Sequence, residues 1–159
     1  MQRYVIIKLL RPMKDGEEFL PQNYPLHITI IPSFMLASMS AGVIDRLTEF
    51  CLGRSMITTK AGPAAYFGPN NEVGVTTVVM NDELQSLHAG LTAILENAGA
   101  IFDEPEYMGD NYRAHATHQQ HERLHEGDAV TIDNLTIIDK FPDGDPNKRK
   151  LLKTIELSK

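Results

Sequence analysis

The sequence predicts an α+β domain: a bilobal, two-sheet fold with two helices packed outside and a central cleft. Three observations predict it. Short β-branched runs alternate with turns rich in Gly, Pro, Asn and Asp, and only two segments carry a helical apolar period. A His-x-Thr sequence also occurs twice, at His27/Thr29 and His115/Thr117, each time within a strand-like run.

The first strand is expected over residues 4–10, Tyr-Val-Ile-Ile-Lys-Leu-Leu, for its β-branched content. Pro12, Gly16 and Pro21 then break the chain into a loop. Residues 26–31 form a second strand bracketed by Pro25 and Pro32. Side chains alternate across a strand, so Leu26, Ile28 and Ile30 share one face while His27 and Thr29 share the other. An apolar face of this kind calls for a helix layer beneath it.

Residues 40–52 predict an amphipathic helix capped by Ser40, with Val43, Ile44, Leu47, Phe50 and Cys51 on one stripe and Gly53 as its stop. Two strands follow, over 56–67 and 73–80, joined by Gly68-Pro69-Asn70-Asn71 as a hairpin loop. The second helix opens at Asp82, with Gln85 completing a capping box, and Gly99 closes it. Leu84, Leu87, His88, Leu91, Ile94, Leu95 and Ala98 keep its three-four spacing. After an acidic loop, residues 112–119 read as a strand that places Arg113, His115, Thr117 and Gln119 on one face. Two final strands, 130–140 and 149–157, flank a turn built on Pro142-Asp143-Gly144-Asp145-Pro146.

Nothing divides this pattern, so residues 1–159 are expected to form one domain. A mean hydropathy of -0.23 and no long apolar run argue against a membrane span. One cysteine, Cys51, and no signal-like N-terminus point to the cytoplasm. The net charge of -6 gives the chain no global attraction for a long nucleic-acid duplex. A small nucleotide or an RNA-end phosphodiester, held by a local set of donors, is the expected partner.

Two His-x-Thr strands sharing one space offer two imidazoles and two hydroxyls. Histidine titrates near neutrality, so one ring can take a proton while the other gives one. Threonine hydroxyls can donate to the non-bridging oxygens of a phosphoryl group. This chemistry requires no metal and no cofactor. Six histidines and eleven threonines give roughly 0.4 such pairs by chance, so the strand context and the 88-residue separation carry the argument.

In these features the chain resembles the two-histidine (2H) phosphoesterase superfamily, closest to its 2′-5′ RNA ligase-like branch, the RNA 2′,3′-cyclic phosphodiesterases. His27-Ile28-Thr29-Ile30, after Pro25-Leu26, matches the His-x-Thr/Ser-hydrophobic motif in full. His115-Ala116-Thr117-His118 matches in its histidine and threonine and departs at His118, where a hydrophobic residue is usual. The turn and strand from Arg123 to Asp139 also look family-like. The resemblance implies hydrolysis of a cyclic or 2′-5′ phosphodiester, with a 2′,3′-cyclic phosphate opening to a 2′-phosphate. It further implies His27 as the acid and His115 as the base.

Several residues admit two readings. Arg113 shares the face of the second motif and either holds a phosphate or makes a surface ion pair. Tyr24, Phe34 and Tyr112 flank the motif strands, either as base-stacking rings or as core and rim aromatics. His88, on an apolar helix stripe, reads as a core histidine. His115, His118, His121 and His125 form a histidine-rich stretch with zinc-like spacing, although alternation turns His118 away from His115. Two alternatives to an enzyme therefore stand: a non-catalytic nucleotide or RNA-end binding module, and a histidine-rich metal-binding protein.

Overall fold

The computed structural model describes residues 1–158. In chain order its elements are β1 (Gln2–Leu9), β2 (Glu18–Phe19), β3 (His27–Leu36), α1 (Ala41–Leu52), β4 (Ile57–Phe67), β5 (Val73–Val78), α2 (Asp82–Asn97), β6 (Ile101–Phe102), β7 (His115–Thr117), β8 (Ala129–Ile132), β9 (Asn134–Asp139) and β10 (Arg149–Glu156). The α+β class is as expected. The strands follow one hydrogen-bonded path, β2-β10-β9-β1-β3-β7-β5-β4-β8, with β6 pairing β3 beside it. The two sheets expected from the sequence are one continuous sheet with two halves, β2-β10-β9-β1-β3 and β7-β5-β4-β8. They meet at the registered pair Ile28↔Ala116, which joins two strand edges that would otherwise lie unpaired.

Both helices cover the same face of this sheet. Val43, Leu47 and Cys51 of α1 and Leu84, Leu87, Leu91 and Leu95 of α2 pack with Ile28, Ile30, Ala116, Ile132 and Ile137 in one buried cluster. On the opposite face of the first half, Val5, Ile7, Leu9, Ile138 and Leu151 form a smaller cluster under Met13, Phe19 and Tyr24. The sheet is therefore apolar on both sides at β1, as a central strand must be.

Four expected boundaries move, each for a physical reason. Strand β3 runs through Pro32 to Leu36, because the β1–β3 register shifts between Tyr4 and Ile6. A bulge tolerates a residue without an N–H donor. Helix α2 is capped by Asn81, whose side chain accepts from the Leu84 N–H at 2.9 Å, and not by Asp82. Gln85 instead donates to the Gly109 carbonyl. The expected 130–140 strand is two strands, since the chain crosses between halves at Asp133: β8 pairs β4, and β9 pairs β1 and β10. Lys8 fixes that crossing, donating to Asp133 at 2.6 Å and Asn134 at 2.9 Å. Finally, β7 shortens to three residues because Gln119 turns back to the Glu122 carbonyl.

The helices approach closely at one point. A Cβ built on Gly90 would lie 2.1 Å from Cζ of Phe50, with two more ring atoms within 3.0 Å. In an exposed helix interior Gly→Ala stabilises by roughly 0.5–1 kcal/mol. Here Gly90→Ala is expected to destabilise instead, by about 1–3 kcal/mol from overpacking. Chemical denaturation of Gly90→Ala and of Gly90→Ala/Phe50→Leu tests this: the double variant should recover part of the loss. A Gly90→Ala variant more stable than the parent would contradict the packing.

Candidate active site

The pairing at the seam decides where the motifs go. With Ile28 opposite Ala116, the regular antiparallel register sets His27 across from Thr117 and Thr29 across from His115. Directly opposed Cβ atoms lie about 4.5–5.5 Å apart and diagonal neighbours about 7–8 Å. The two histidines thus occupy one diagonal of a four-residue patch and the two threonines the other. Ile28 and Ala116, one residue out of phase, are fully buried beneath the helices. All four motif residues are half-buried on the face the helices leave free.

Each imidazole is anchored in the same way. His27 Nδ1–H donates to the Pro25 carbonyl at 2.8 Å, and His115 Nδ1–H donates to the Arg113 carbonyl at 2.9 Å. A carbonyl can only accept, so both rings hold their proton on Nδ1 when neutral. Each Nε2 then carries the neutral ring's lone pair. An aromatic ring packs against each histidine: Tyr24 on His27 with centroids 4.5 Å apart, and Phe67 edge-on to His115 at 4.6 Å. The surroundings are not equal. Burial pushes the His27 pKa below its ordinary value, the Pro25 carbonyl partly opposes this, and the charge of His115 lowers it further.

The other expected site residues take different settings, and Tyr112 and Arg113 lie beside His115. Phe34 is 0% exposed, packed between Tyr4 and Phe102 in the core, so no base can stack on it. Tyr112, 2% exposed, is a strut: its ring stacks on His88 at 4.0 Å and its hydroxyl donates to the Thr29 carbonyl at 2.7 Å. Burial raises its pKa and keeps it a donor. Tyr24 is spent on His27 and Phe19, and burial lifts its pKa to about 12. Arg113 is exposed beside His115, its guanidinium donating to the Asp110 and Tyr112 carbonyls. His88 is fully buried, as its helix stripe implied. Its Nδ1–H donates to the Ile30 carbonyl at 2.8 Å, and its Nε2 accepts from the Gly109 N–H at 3.0 Å.

The sequence reading missed a cavity of about 890 Å³ that opens beside Thr29 and His115. Tyr66, Phe67, Tyr107, Asn111 and Arg113 are among its lining residues. They come from the β4–β5 hairpin and the 104–113 loop, which no periodicity brings together.

The histidine-rich stretch disperses. His118 Nε2–H donates to Thr76 Oγ1 at 2.9 Å on the face away from His115, and Thr76 donates to the Leu124 carbonyl. Gly74 admits the ring, since a Cβ there would sit 3.0 Å from His118 Nδ1. This explains a polar residue at the fourth motif position: its back-face neighbours are Thr76 and a glycine. His121 and His125 are exposed. Among the described residues no three His, Cys, Asp or Glu side chains converge on a common point.

No family model matches the sequence, and no curated protein sequence matches it. Solved structures do. A phosphoesterase superposes with a TM-score of 0.58 at 16% identity, covering 99% of both chains. Escherichia coli LigT complexed with 3′-AMP superposes with a TM-score of 0.59 at 16% identity, again over 99% of each. Kluyveromyces marxianus Usb1 gives 0.55 at 10% identity over 98% of each. The chain shares the fold of these structures. Among the described residues, no helix is long and apolar enough to cross a membrane.

Burial lowers the proton affinity of both His27 and His88. Below the ordinary histidine value of about 6.5 the unfolded chain then binds more protons than the folded one, so stability falls as pH drops through that value. The thermal midpoint is expected to decline between pH 7 and pH 5, and to decline less steeply in His27→Gln. A midpoint independent of pH across that window would contradict the buried neutral rings.

Proposed function

We propose that this chain is a metal-independent phosphodiesterase that opens a 2′,3′-cyclic phosphate, or a related cyclic or 2′-5′ phosphodiester, to a phosphomonoester. One observation carries the reading: two imidazoles on a diagonal, each locked through Nδ1 onto a carbonyl, each with Nε2 free on the same open face. A binding module needs no such matched tautomers. The three solved structures, one described as a phosphoesterase and one binding 3′-AMP, support the same reading.

In the reaction, water attacks phosphorus as one imidazole removes its proton. The P–O3′ bond breaks, and the second imidazole protonates the departing 3′ oxygen. The product is a 2′-phosphate and a free 3′-hydroxyl, with one proton exchanged between the rings. Thr29 and Thr117 hydroxyls donate to the non-bridging oxygens as charge builds there. The resemblance implies His27 as acid and His115 as base. Two features favour the reverse order, which we adopt. Burial disfavours the proton on His27, which suits that ring to the base role. The large cavity adjoins His115, so the 3′ oxygen of a nucleoside held there would be released toward that ring.

His27→Ala and His115→Ala are each expected to lower turnover of a 2′,3′-cyclic nucleotide about 10²–10⁴-fold, and Thr29→Ala or Thr117→Ala about 10²–10³-fold. Activity should survive EDTA, with a bell-shaped pH–rate profile near neutrality. Near-normal rates in either histidine variant, or loss with EDTA and rescue by zinc, would overturn the mechanism.

The histidine roles separate on a nitrophenyl phosphodiester, whose leaving group departs as an anion and needs little acid. His115→Ala should recover much of its lost rate on that ester, while His27→Ala stays impaired. The opposite pattern restores the order implied by resemblance.

A further inference from the structure

Three cations line up across the first half of the sheet. Tyr4 and Lys150 both register against Asp139, so Arg3 and Arg149 stand on either side of Lys140 at the next position. The Lys140 N–H donates to the Arg3 carbonyl at 2.9 Å, and Arg149 Nη1 donates to the Lys140 carbonyl at 2.9 Å. Two residues along each strand lie Val5, Ile138 and Leu151, whose cluster also holds Leu9, the partner of His27. Strand alternation therefore puts Arg3, Lys140 and Arg149 on the face that carries the motifs.

Like charges directly opposite one another on a sheet repel, and only one of these three is neutralised. Arg3 forms a bidentate pair with Asp103, at 2.8 and 3.1 Å. Among the described residues no carboxylate lies within ion-pairing distance of Lys140 or Arg149. Both are half-buried, where solvent screens a charge less than at the open surface. Burial pushes the Lys140 ammonium below its ordinary pKa and the Arg149 charge pushes it further, with Asp103 partly opposing. The hydrogen bonding of the Arg149 guanidinium is incomplete, since its Nε is buried without a partner.

The row borders the motif patch without belonging to it. Arg149 adjoins the hydroxyl of Tyr24, whose ring packs on His27. Lys140 Nζ donates to Ser33 Oγ at 3.1 Å. Ser33 follows Thr29 by four residues on β3, about 13 Å along the strand. That is too far to serve the phosphorus held at the histidines.

We propose that Lys140 and Arg149, with the Ser33 hydroxyl, form an anion site for a phosphate group other than the one that reacts. An oxyanion there gains charge-assisted hydrogen bonds and offsets two charges that the fold leaves unpaired. Two sources share this chemistry: a phosphate further along an oligonucleotide whose end lies at the histidines, and free inorganic phosphate. The first source rests on the phosphodiesterase reading, and the site itself does not.

Calorimetric titration of a His27→Ala/His115→Ala variant with inorganic phosphate, against chloride at equal ionic strength, separates the row from the motif patch. Binding should persist in that variant and weaken roughly tenfold when Lys140→Gln is added. Lys140 suits the test because its side chain bonds only Ser33, whereas Arg149 also ties its turn together through three carbonyls. Phosphate affinity unchanged by Lys140→Gln, or lost with the histidines alone, overturns the site. A trinucleotide ending in a 2′-phosphate and adenosine 2′-monophosphate then distinguish the sources. For an oligonucleotide, the trinucleotide should bind the parent protein roughly tenfold more tightly, and Lys140→Gln should cancel the difference. Equal affinities assign the site to free phosphate. A protein that binds phosphate at this row and turns over no phosphodiester would sink the phosphodiesterase reading and leave the site standing.

Discussion

The pairing of Ile28 with Ala116 is the constraint from which the site follows. A strand has a side-chain period of two, so a slip of one residue at this seam would turn one histidine toward the helices and leave the other outside. With so short a pairing, the register needs help from beyond the ladder. Tyr112 supplies it by bonding the Thr29 carbonyl across the seam, and His88 by joining helix α2 to the Ile30 carbonyl and the Gly109 N–H. The two rings stack with an interplanar angle of 3°. A buried histidine and a buried tyrosine thus hold the phase of the four motif residues.

The resulting site is nearly two-fold symmetric in its parts. Histidine opposes threonine twice, each Nδ1 is held by a carbonyl two residues back, and each ring has an aromatic neighbour. Acid–base chemistry nonetheless needs the two rings in different protonation states. The symmetry is broken by what surrounds them: Tyr24, itself packed on Phe19, crowds His27, while His115 adjoins a large open cavity.

The strongest sequence signals were those with a local cause. Alternation in His27-Ile28-Thr29-Ile30 and the three-four spacing of Leu84 to Leu95 reappear as faces of β3 and α2. The site pairs were legible for the same reason, since each motif carries its own phase. What was not legible depended on partners distant in the chain. Pro32 looked like a strand end because its bulge is defined by the register against Tyr4 and Ile6. Phe34 and Tyr112 looked like flanking aromatics because nothing local shows that Phe102 and His88 cover them. Tyr66 and Tyr107 went unremarked because a cavity between a hairpin and a distant loop has no period.

The crossing at Asp133 also bears on how the molecule comes to exist. The first half of the sheet takes β1, β2 and β3 from the beginning of the chain and β9 and β10 from its end, with the whole second half inserted between. On a ribosome that half is a discontinuous unit: β1 emerges early but waits for β9, which lies 125 residues after Lys8 at its Asp133 clamp. The inserted half, contiguous from β4 to β8, can pair its own strands first. The nascent chain must therefore shield the Tyr4–Ile7 edge until β9 has been made, a delay in which this strand stands to gain from a chaperone.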